Sequence, residues 1–373
     1  MSRPRAVLLA AVGLLAAWAS PAWASGGIRV AIVEEARAVE LRGSEIEISS
    51  LGGCARCPRR GWRADTVRAT ARAQAIEIEG RRASGFRLRS ERPIRLDGRE
   101  YPATLELVPN GSGMAIVNEL PLEEYLVGVL RGESSDRWPL EALRAHAIVA
   151  RTYAAYQRTI SGAKPYHIVA STAHQQYAGR VPASSPLWIA VSETRRQVLR
   201  WEGELFPAFY HTESGGYTED PRTVFAARNM PALKPVRCEF STGSPHYFWS
   251  LDLPLADLAE IMRRHDVGVG SVIAIQVSER TPSLRAAVVT VHGSLGSVRL
   301  LGNDFRRMIG YDTFKSTLVA VSIAGDVARF VGRGYGHGVG MCQWGAKGMA
   351  EQGYSAAQIL EFYYPGATLG SLK

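Results

Sequence analysis

Four cysteines are all that this 373-residue chain contains, so a dense disulfide framework does not hold it together. Beyond a short apolar run near the start, no stretch is long enough to cross a bilayer. A Gly-Lys-Ser/Thr phosphate loop and a dinucleotide fingerprint are both missing, which argues against nucleotide chemistry. The sequence also lacks a fixed-period repeat and a low-complexity segment. These absences favour a globular chain of one large domain or two modest ones.

The first 24 residues have the pattern of a secretory signal. Arg3 and Arg5 precede an apolar run over Ala6–Trp18, and Ala22–Ala24 matches a small-residue cleavage site. We therefore expect export, to the periplasm or the cell wall. The net charge of +9 suits an anionic partner such as a wall polymer or a membrane surface, while export argues against nucleic acid.

The cysteines divide into one close pair and two isolated residues. Cys54 and Cys57 form a C-x-x-C motif without the βαβ context of a redox site, so a local disulfide is favoured and half a zinc site stays open. Cys238 and Cys342 either pair or stay free. A four-cysteine zinc site would require all four to converge.

Hydrophobic periodicity divides the chain into a β-rich part, residues 25–115, and a longer part, residues 116–373. Apolar and polar residues alternate over 28–32, 45–48, 75–78 and 104–107, as in half-buried strands. The pattern then becomes helical over Leu122–Leu130 and over residues 138–159. Strands and helices follow to the end, and Ser355 and Gln358 predict a capping box at the start of the last helix. We predict an α+β fold, with β-rich N-terminal and C-terminal parts around a helical segment, as one domain with a small β subdomain left open.

Between the two predicted helices lies a short loop, Arg131–Ser135, which carries Glu133. A glutamate in a short loop between packed helices is held in place at the edge of a cleft, which suits a catalytic carboxyl group. Asp136 follows three residues later. We interpret it as the N-cap of the second helix, and its alternative role is a second catalytic carboxylate.

A glycine-alternating stretch, GRGYGHGVGMCQWGA, occupies Gly332–Ala346. Alternation is typical of extended chain and predicts that four side chains share one face: Arg333, Tyr335, His337 and Val339. The opposite face would be bare backbone, which a ligand could approach closely. A glycine-rich turn is the alternative. We expect the stretch to form one wall of a groove opposite Glu133.

Six blocks in chain order carry a recognisable pattern: Asn118–Glu133, Leu140–Ala154, Ser171–Gly179, Tyr210–Gly216, Ser244–Trp249 and Gly332–Ala346. Together they resemble the SpoIID/LytB domain family, named for stage II sporulation protein D and an amidase enhancer. The resemblance covers nearly all of the chain after the signal. It implies that residues 116–373 are a SpoIID-like catalytic region and that Glu133 is the catalytic acid.

The resemblance implies a lytic transglycosylase that cuts the glycan strands of peptidoglycan and leaves 1,6-anhydromuramyl ends. One carboxyl group suffices in that chemistry because the sugar's own C6 hydroxyl is the nucleophile. The family also includes amidase enhancers, so a wall-binding regulator of an amidase or another wall hydrolase is the alternative. A hydrolase with Asp136 as its base is a third possibility.

The family blocks also imply residues that bind the sugar chain through hydrogen bonds or ring stacking: His174, Tyr177, His211, Ser214, Gly215, Tyr335, His337, Gln343 and Trp344. For His174 a purely structural role is an equal alternative. No cofactor is expected. Some relatives bind zinc in the block that matches Val169–His174, but Val169 and Ala173 stand where those relatives have ligands, so zinc is not carried over.

Overall fold

The computed structural model describes residues 27–102, 104–225 and 230–372. The predicted signal segment lies outside these residues. Within them the chain forms 21 strands and eight helices, which confirms the predicted α+β class. None of the helices in the described ranges is long and apolar enough to span a membrane.

An eleven-stranded sheet takes up the first part of the chain. Its strands are β1 Gly27–Ala36, β2 Ala38–Ser50, β3 Trp62–Arg72, β4 Ala75–Ile78, β5 Arg81–Ala83, β6 Phe86–Arg89, β7 Ile94–Leu96, β8 Arg99–Tyr101, β9 Thr104–Asn110, β10 Gly113–Pro121 and β11 Ile168–Val169. The main order is β11-β1-β10-β9-β6-β2-β3-β4-β5, and β7 pairs with β2 and β8. The four predicted strands fall within β1, β2, β4 and β9. Residue 115, where the two parts were expected to meet, lies inside β10.

Two helices follow the sheet, α1 Leu122–Glu133 and α2 Leu140–Ile160. One face of α2 packs into the core of the sheet with Leu143, Ala147, Ala150 and Ala154. The other face enters a second core with Ala145, Ile148 and Val149. Helix α2 is therefore buried on both sides, and its polar residues His146, Arg151 and Thr152 are buried with it.

The helix boundaries differ from the prediction in two ways. Helix α1 continues to Glu133, so the glutamate ends a helix and does not sit in a loop. The predicted capping role of Asp136 is wrong, because α2 begins after Pro139 without a side-chain cap. Pro139 has a fixed φ that prepares the chain for a helix, and Asp136 instead pairs with Arg131 at 3.2 Å.

The remaining elements, in chain order, are α3 Leu187–Glu193, β12 Gln197–Arg200, β13 Tyr210–His211, α4 Pro221–Phe225, β14 Phe248–Pro254, α5 Leu255–Arg264, β15 Val272–Arg280, β16 Ala286–Gly293, β17 Gly296–Leu301, α6 Gly302–Ile309, β18 Val319–Ala324, β19 Val327–Arg333, β20 Met341–Cys342, α7 Gln343–Glu351, α8 Ala356–Tyr363 and β21 Thr368–Ser371. Helix α8 has the predicted capping box of Ser355 and Gln358. Strand β13 pairs in parallel with β20, which brings distant blocks together.

A third core lies within the segment between β13 and β20. It is built on two three-stranded sheets, β14-β19-β18 and β15-β16-β17, with α5 and α6. Aromatic side chains fill its centre, among them Phe305, Phe314 and Phe330. The last strand, β19, ends at Arg333 and so delivers the glycine-alternating stretch directly to the second core.

The cysteines follow the favoured interpretation in part. Cys54 and Cys57 form a disulfide. Cys238 and Cys342 are free and buried in the second core, so the four do not converge on one site.

Close packing between α1 and the 171–179 segment depends on a glycine. A Cβ atom at Gly128 would lie 2.3 Å from a ring carbon of Tyr177 and 2.7 Å from the carbonyl oxygen of Gly179. Both distances are far below van der Waals contact, and Tyr177 is buried with its hydroxyl bonded to Asn118 at 2.9 Å. The ring therefore cannot move away without losing that bond.

We expect Gly128→Ala to lower the free energy of unfolding by about 1–3 kcal/mol, because overpacking a dense core outweighs the better helix propensity of alanine. Chemical denaturation measures the change. Gly53→Ala is the matched control, since nothing lies within 4 Å of its added Cβ. A Gly128→Ala protein as stable as the wild type would contradict this packing.

Candidate active site

A groove of about 610 Å³ opens where the three cores meet. It is within the usual size range of ligand sites. Several predicted site residues line it: Glu133, His174, His211, Tyr335, His337 and Gln343. Glu133 and His337 are far apart in the sequence, and the fold brings both to this groove as the sequence analysis required.

Glu133 lies at the C-terminal end of α1 with its carboxylate held from three directions. One oxygen, Oε1, accepts the backbone N–H of Gln176 at 2.7 Å and, at 3.4 Å, the hydroxyl of Tyr210. The other oxygen, Oε2, accepts the side-chain amide of Gln343 at 3.2 Å. These donors leave the carboxyl group little freedom to rotate.

Part of Glu133 stays open to the groove, while protein atoms surround its carboxylate closely. This burial raises the pKa of the Glu133 carboxyl, and the hydrogen bonds from Gln176, Gln343 and Tyr210 oppose the shift without cancelling it. A raised pKa keeps more of the acid protonated near neutral pH. Glu133 can therefore donate a proton and take one back, as a general acid and base.

Gln343 owes its position to the start of α7. The Sγ atom of Cys342 caps this helix by accepting the N–H of Gly345 at 3.2 Å. Gln343 is the first helical residue and is almost fully buried. Its amide also contacts the backbone oxygen of Glu133 at 3.3 Å and the Nε2 atom of His146 at 3.5 Å. The cap and the helix thus fix the side chain that holds the Glu133 carboxyl group.

A further layer of buried polar groups supports Tyr210. The side chain of Gln175 donates to the Tyr210 hydroxyl at 3.1 Å and accepts from the Tyr125 hydroxyl at the same distance. The ring of His146 packs edge-on against Tyr210, with centroids 4.8 Å apart. Burial lowers the pKa of His146 to about 3, so this ring is neutral. These contacts orient Tyr210 toward Glu133.

Two neighbouring histidines, His211 and His337, line the groove with ring centroids 5.6 Å apart. The Nδ1 atom of His211 donates to the carbonyl of Val339 at 3.1 Å, which leaves Nε2 as a buried acceptor with no partner among the described residues. Burial and the adjacent His337 hold the pKa of His211 well below its ordinary value. His211 therefore presents a neutral acceptor that lacks a donor.

His337 is fixed by its own backbone. Its Nδ1 atom accepts the N–H of Val339 at 3.0 Å, so the neutral ring carries its proton on Nε2. Burial, with the nearby guanidinium groups of Arg306 and Arg285, lowers the pKa of His337 to about 3. The two histidines thus add polar surface to the groove without adding charge.

The glycine-alternating stretch is not the regular strand that its alternation predicted. Gly336 and Gly340 have φ values of +114° and +72°, outside the range of ordinary strands. His337 lines the groove whereas Val339 is buried in the second core, so the predicted shared face is wrong.

The bare side of this stretch faces protein and not an open cleft. A Cβ at Gly336 would lie 2.8 Å from the Cβ of His211, and one at Gly340 would lie 1.9 Å from the carbonyl oxygen of Phe209. The glycines therefore allow the stretch to pack against the segment around β13. The expectation that their backbone face receives a ligand is wrong for most of the stretch, and only Gly336 borders the groove.

Three other predicted site residues are part of the packed interior. Tyr177 is only 2% exposed and bonded to Asn118, so its expected ring stacking with a ligand is wrong. Ser214 and Gly215 are fully buried beneath the stretch. The backbone N–H of Ser214 donates to the Sγ of Cys342 at 3.3 Å, and its carbonyl accepts from Arg285 at 2.6 Å. Their polar backbone groups serve the fold.

Trp344 is also outside the groove. Its ring packs edge-on against Trp138, with centroids 5.5 Å apart, and Lys347 lies over it at 5.2 Å. Because Trp344 follows Gln343 on α7, it points to a different side of the helix. Its predicted ligand contact is therefore wrong, and its role is to pack α7 against the start of α2.

His174 lines the groove, but its Nδ1 atom accepts the backbone N–H of Val169 at 2.9 Å. Val169 and Ala173 offer no metal ligand, so the family's zinc does not fit this block. No group of three or more His, Cys, Asp or Glu residues that could hold a metal occurs in the part of the chain that the structure describes.

Several groove residues were missed by the sequence analysis. Tyr210 and the backbone of Gln176 lie inside the family blocks, where closer attention to those blocks could have found them. No sequence signal pointed to the wall supplied by the third core: Asn303, Arg306, Tyr311 and Asp312. These residues reach the groove only because α6 packs beside the glycine-alternating stretch.

Fold and site together define an α+β protein with one closely held carboxyl group in an open, polar groove. Comparison with known proteins gives the family. Residues 110–201 match the family model SpoIID, "Stage II sporulation protein", and residues 237–340 match a "Domain of unknown function (DUF8618)". The chain belongs to the SpoIID/LytB family.

The relatives include characterised and uncharacterised proteins. The chain is 30% identical to an uncharacterized protein of Brachyspira hyodysenteriae over 74% of this chain and 73% of that protein. It is 28% identical to stage II sporulation protein D of Bacillus amyloliquefaciens, over 68% and 75% of the two chains. It is 32% identical to the amidase enhancer of Bacillus subtilis over 74% of this chain but only 45% of the enhancer.

The raised pKa of Glu133 has a consequence for stability. The unfolded carboxyl group ionises near its ordinary pKa of about 4.3, and the folded one ionises at higher pH. Below the lower value both states are protonated. As pH rises through the interval between the two pKa values, the unfolded state ionises before the folded state does. The folded state therefore becomes less stable relative to the unfolded state. We expect Glu133→Gln, which cannot ionise, to become more stable than the wild type as pH rises from about 4 to 7.

Thermal denaturation of both proteins across that pH range checks this expectation. Asp136→Asn is the matched control, because it removes a half-buried carboxylate that lies three residues after Glu133 and pairs with Arg131 at 3.2 Å. A gain in stability of Glu133→Gln over the wild type that is equal at all pH values would contradict the raised pKa. A loss of stability that grows with pH would contradict it too.

Proposed function

We propose that this protein cleaves the glycan strands of peptidoglycan as a lytic transglycosylase, with Glu133 as its only acid and base. The observation that carries the proposal is the Glu133 carboxyl group: it has a raised pKa, it is held by three donors, and it faces an open groove. Membership of the SpoIID/LytB family supports a role at the cell wall. Export to the periplasm or wall is part of the proposal.

In this reaction the protonated Glu133 donates to the glycosidic oxygen that follows an N-acetylmuramic acid residue. The bond to C1 of that sugar breaks, and the sugar's own O6 bonds to C1. The Glu133 carboxylate takes the proton that O6 releases, which restores the acid. The product is a 1,6-anhydro ring, and no water is consumed.

The other groove groups suit a neutral, hydroxyl-rich ligand. The unpaired Nε2 atom of His211 can accept a hydrogen bond from a hydroxyl or amide N–H group of a sugar. This bond would satisfy a polar atom that is otherwise buried without a partner among the described residues. Tyr335 presents a half-buried ring at the groove. Sugars commonly pack on such amphipathic rings.

Among the described residues that line the groove, Asp312 is the candidate for the second carboxylate of ordinary hydrolysis. Asp136 is outside the set of residues that line the groove, whereas Asp312 is inside it. Asp312 is exposed and accepts the Tyr335 hydroxyl at 2.6 Å. A hydrolase would use Asp312 to activate water and would leave reducing-end muramic acid.

The competing function is that of a non-catalytic enhancer of a wall amidase. The observation in its favour is the relative named "Amidase enhancer". Such a protein would bind wall glycan or the amidase and would cleave nothing itself. A pure binding module has no use for a proton donor with a raised pKa, which is why we favour the enzyme.

We expect Glu133→Gln to reduce the release of 1,6-anhydromuramyl products by at least about 100-fold, since it removes the general acid and base. Mass spectrometry of digests of purified sacculi and of peptide-free strands measures the products. Asp136→Asn should digest both substrates like the wild type, because it lies outside the groove.

Undiminished anhydro product from Glu133→Gln would overturn the role of Glu133. Reducing-end muramic acid that disappears in Asp312→Asn would favour a hydrolase. Absence of any wild-type product, together with faster release of stem peptides by an added amidase, would favour the enhancer.

A further inference from the structure

The third core contributes a buried cation to the groove. Arg306, on α6, is only 5% exposed, and it lines the groove together with Glu133 and His337. Burial and repulsion from Arg285 lower the pKa of Arg306 to about 10, which still leaves the guanidinium charged at neutral pH. The groove therefore has a fixed positive charge at the wall formed by α6.

Arg306 is only partly satisfied by the protein. Its Nε atom donates to the carbonyl of Phe314 at 2.9 Å, and its Nη2 atom makes a weak contact of 3.5 Å with the carbonyl of Tyr311. The guanidinium also lies over the Tyr311 ring, 4.6 Å from its centroid. Among the described residues Nη1 has no hydrogen-bond partner and no carboxylate forms an ion pair with Arg306. A buried charge in this state is costly unless an anion completes it.

The surroundings of Arg306 decide from which side an anion could approach it. Arg285 lies behind the glycine-alternating stretch, where Glu219 and Glu213 face it. The cavity between the two arginines, about 20 Å³, has room for about one water and no larger anion. Asp312 lines the same groove, where it is exposed and accepts the hydroxyl of Tyr335. The groove therefore offers an anion the room to reach Arg306 that the small cavity does not.

We propose that Arg306, with the amide of Asn303 beside it, forms a carboxylate-binding subsite of the groove, so that the third core recognises an acidic group on the glycan. The side chain of Asn303 lines both cavities and makes no hydrogen bond among the described residues. A guanidinium and an amide are the donors that commonly bind a carboxylate. This subsite rests on the proposed glycan substrate. It assigns a function to the segment that matches a domain of unknown function.

Two carboxylates on a peptidoglycan strand have this chemistry. One is the lactyl carboxylate of a muramic acid residue that carries no peptide. The other is a free carboxylate of a stem peptide. N-acetylglucosamine residues have neither, so oligomers of that sugar alone lack the group that Arg306 would bind.

The test uses Glu133→Gln protein, which binds without cleaving, and isothermal titration calorimetry with three tetrasaccharides. These are a peptide-free muramic acid and glucosamine tetramer, the same tetramer with stem peptides, and chitotetraose. We expect at least one acidic tetramer to bind at least about tenfold more tightly than chitotetraose. Arg306→Gln should bring that ratio of affinities close to one, and Arg306→Lys should keep part of it.

Arg307→Gln is the matched control: it removes an arginine of the same helix that is exposed and paired with Asp304 at 3.2 Å. It should preserve the ratio. A preference for the peptide-free tetramer alone identifies the lactyl carboxylate, and one for the peptide-bearing tetramer alone identifies the peptide.

Two results would overturn the subsite. One is a ratio of acidic-tetramer to chitotetraose affinity near one when Arg306 is intact. The other is an equal loss of affinity for all three ligands in Arg306→Gln and Arg306→Lys. Product analysis of the protein with Glu133 intact separates the two proposals. If anhydro products form but the ratio of affinities is near one, only the subsite is rejected. If the acidic tetramer binds clearly more tightly than chitotetraose but no cleavage products form, only the proposed cleavage is rejected. Absence of both products and binding rejects both.

Discussion

The geometry of the candidate site depends on the burial of one carboxyl group. Glu133 ends α1, and its oxygens receive hydrogen bonds from Gln176, Tyr210 and Gln343, which lie in three different segments of the chain. Burial alone would favour the neutral acid and would leave it free to rotate. The three donors restore part of the charged form's stability and fix the orientation. The carboxyl group therefore keeps one geometry while its pKa is raised, and both properties favour proton transfer.

Much of the surrounding architecture serves to bring those donors together. Pairing of β13 with β20 places Tyr210 beside the start of α7, where the Cys342 cap orients Gln343. Helix α2 separates the sheet core from the second core and contributes His146 to the same cluster. The tight fit of Tyr177 over Gly128 holds the 171–179 segment, and with it the N–H of Gln176, against α1. Contacts between segments far apart in the sequence thus determine the geometry of the site.

The sequence predicted the elements better than their contacts. Alternation and helical periodicity located β1, β2, β4 and β9, both central helices and the capping box of α8, because these signals are local. The family blocks located Glu133, His211, His337 and Gln343, all of which line the groove. The blocks could not separate ligand contacts from packing, so Ser214, Gly215 and Tyr177 were assigned to the groove although they are buried.

Long-range packing explains the remaining errors. Alternating glycines have the period of a strand, but positive φ values turn the chain, and neighbouring protein fills the space that a missing Cβ leaves. The wall around Arg306 had no motif at all. Its position follows from the attachment of the third core through β19, which no periodicity in α6 reveals.

The most direct test of this account is a site-resolved titration of the Glu133 carboxyl carbon by NMR, with Glu133→Gln used to assign the signal. The account predicts a pKa above the ordinary glutamate value of about 4.3, and a further rise in Gln343→Leu, which removes a donor to the charged form. A pKa at or below the ordinary value, or a fall in Gln343→Leu, would contradict it.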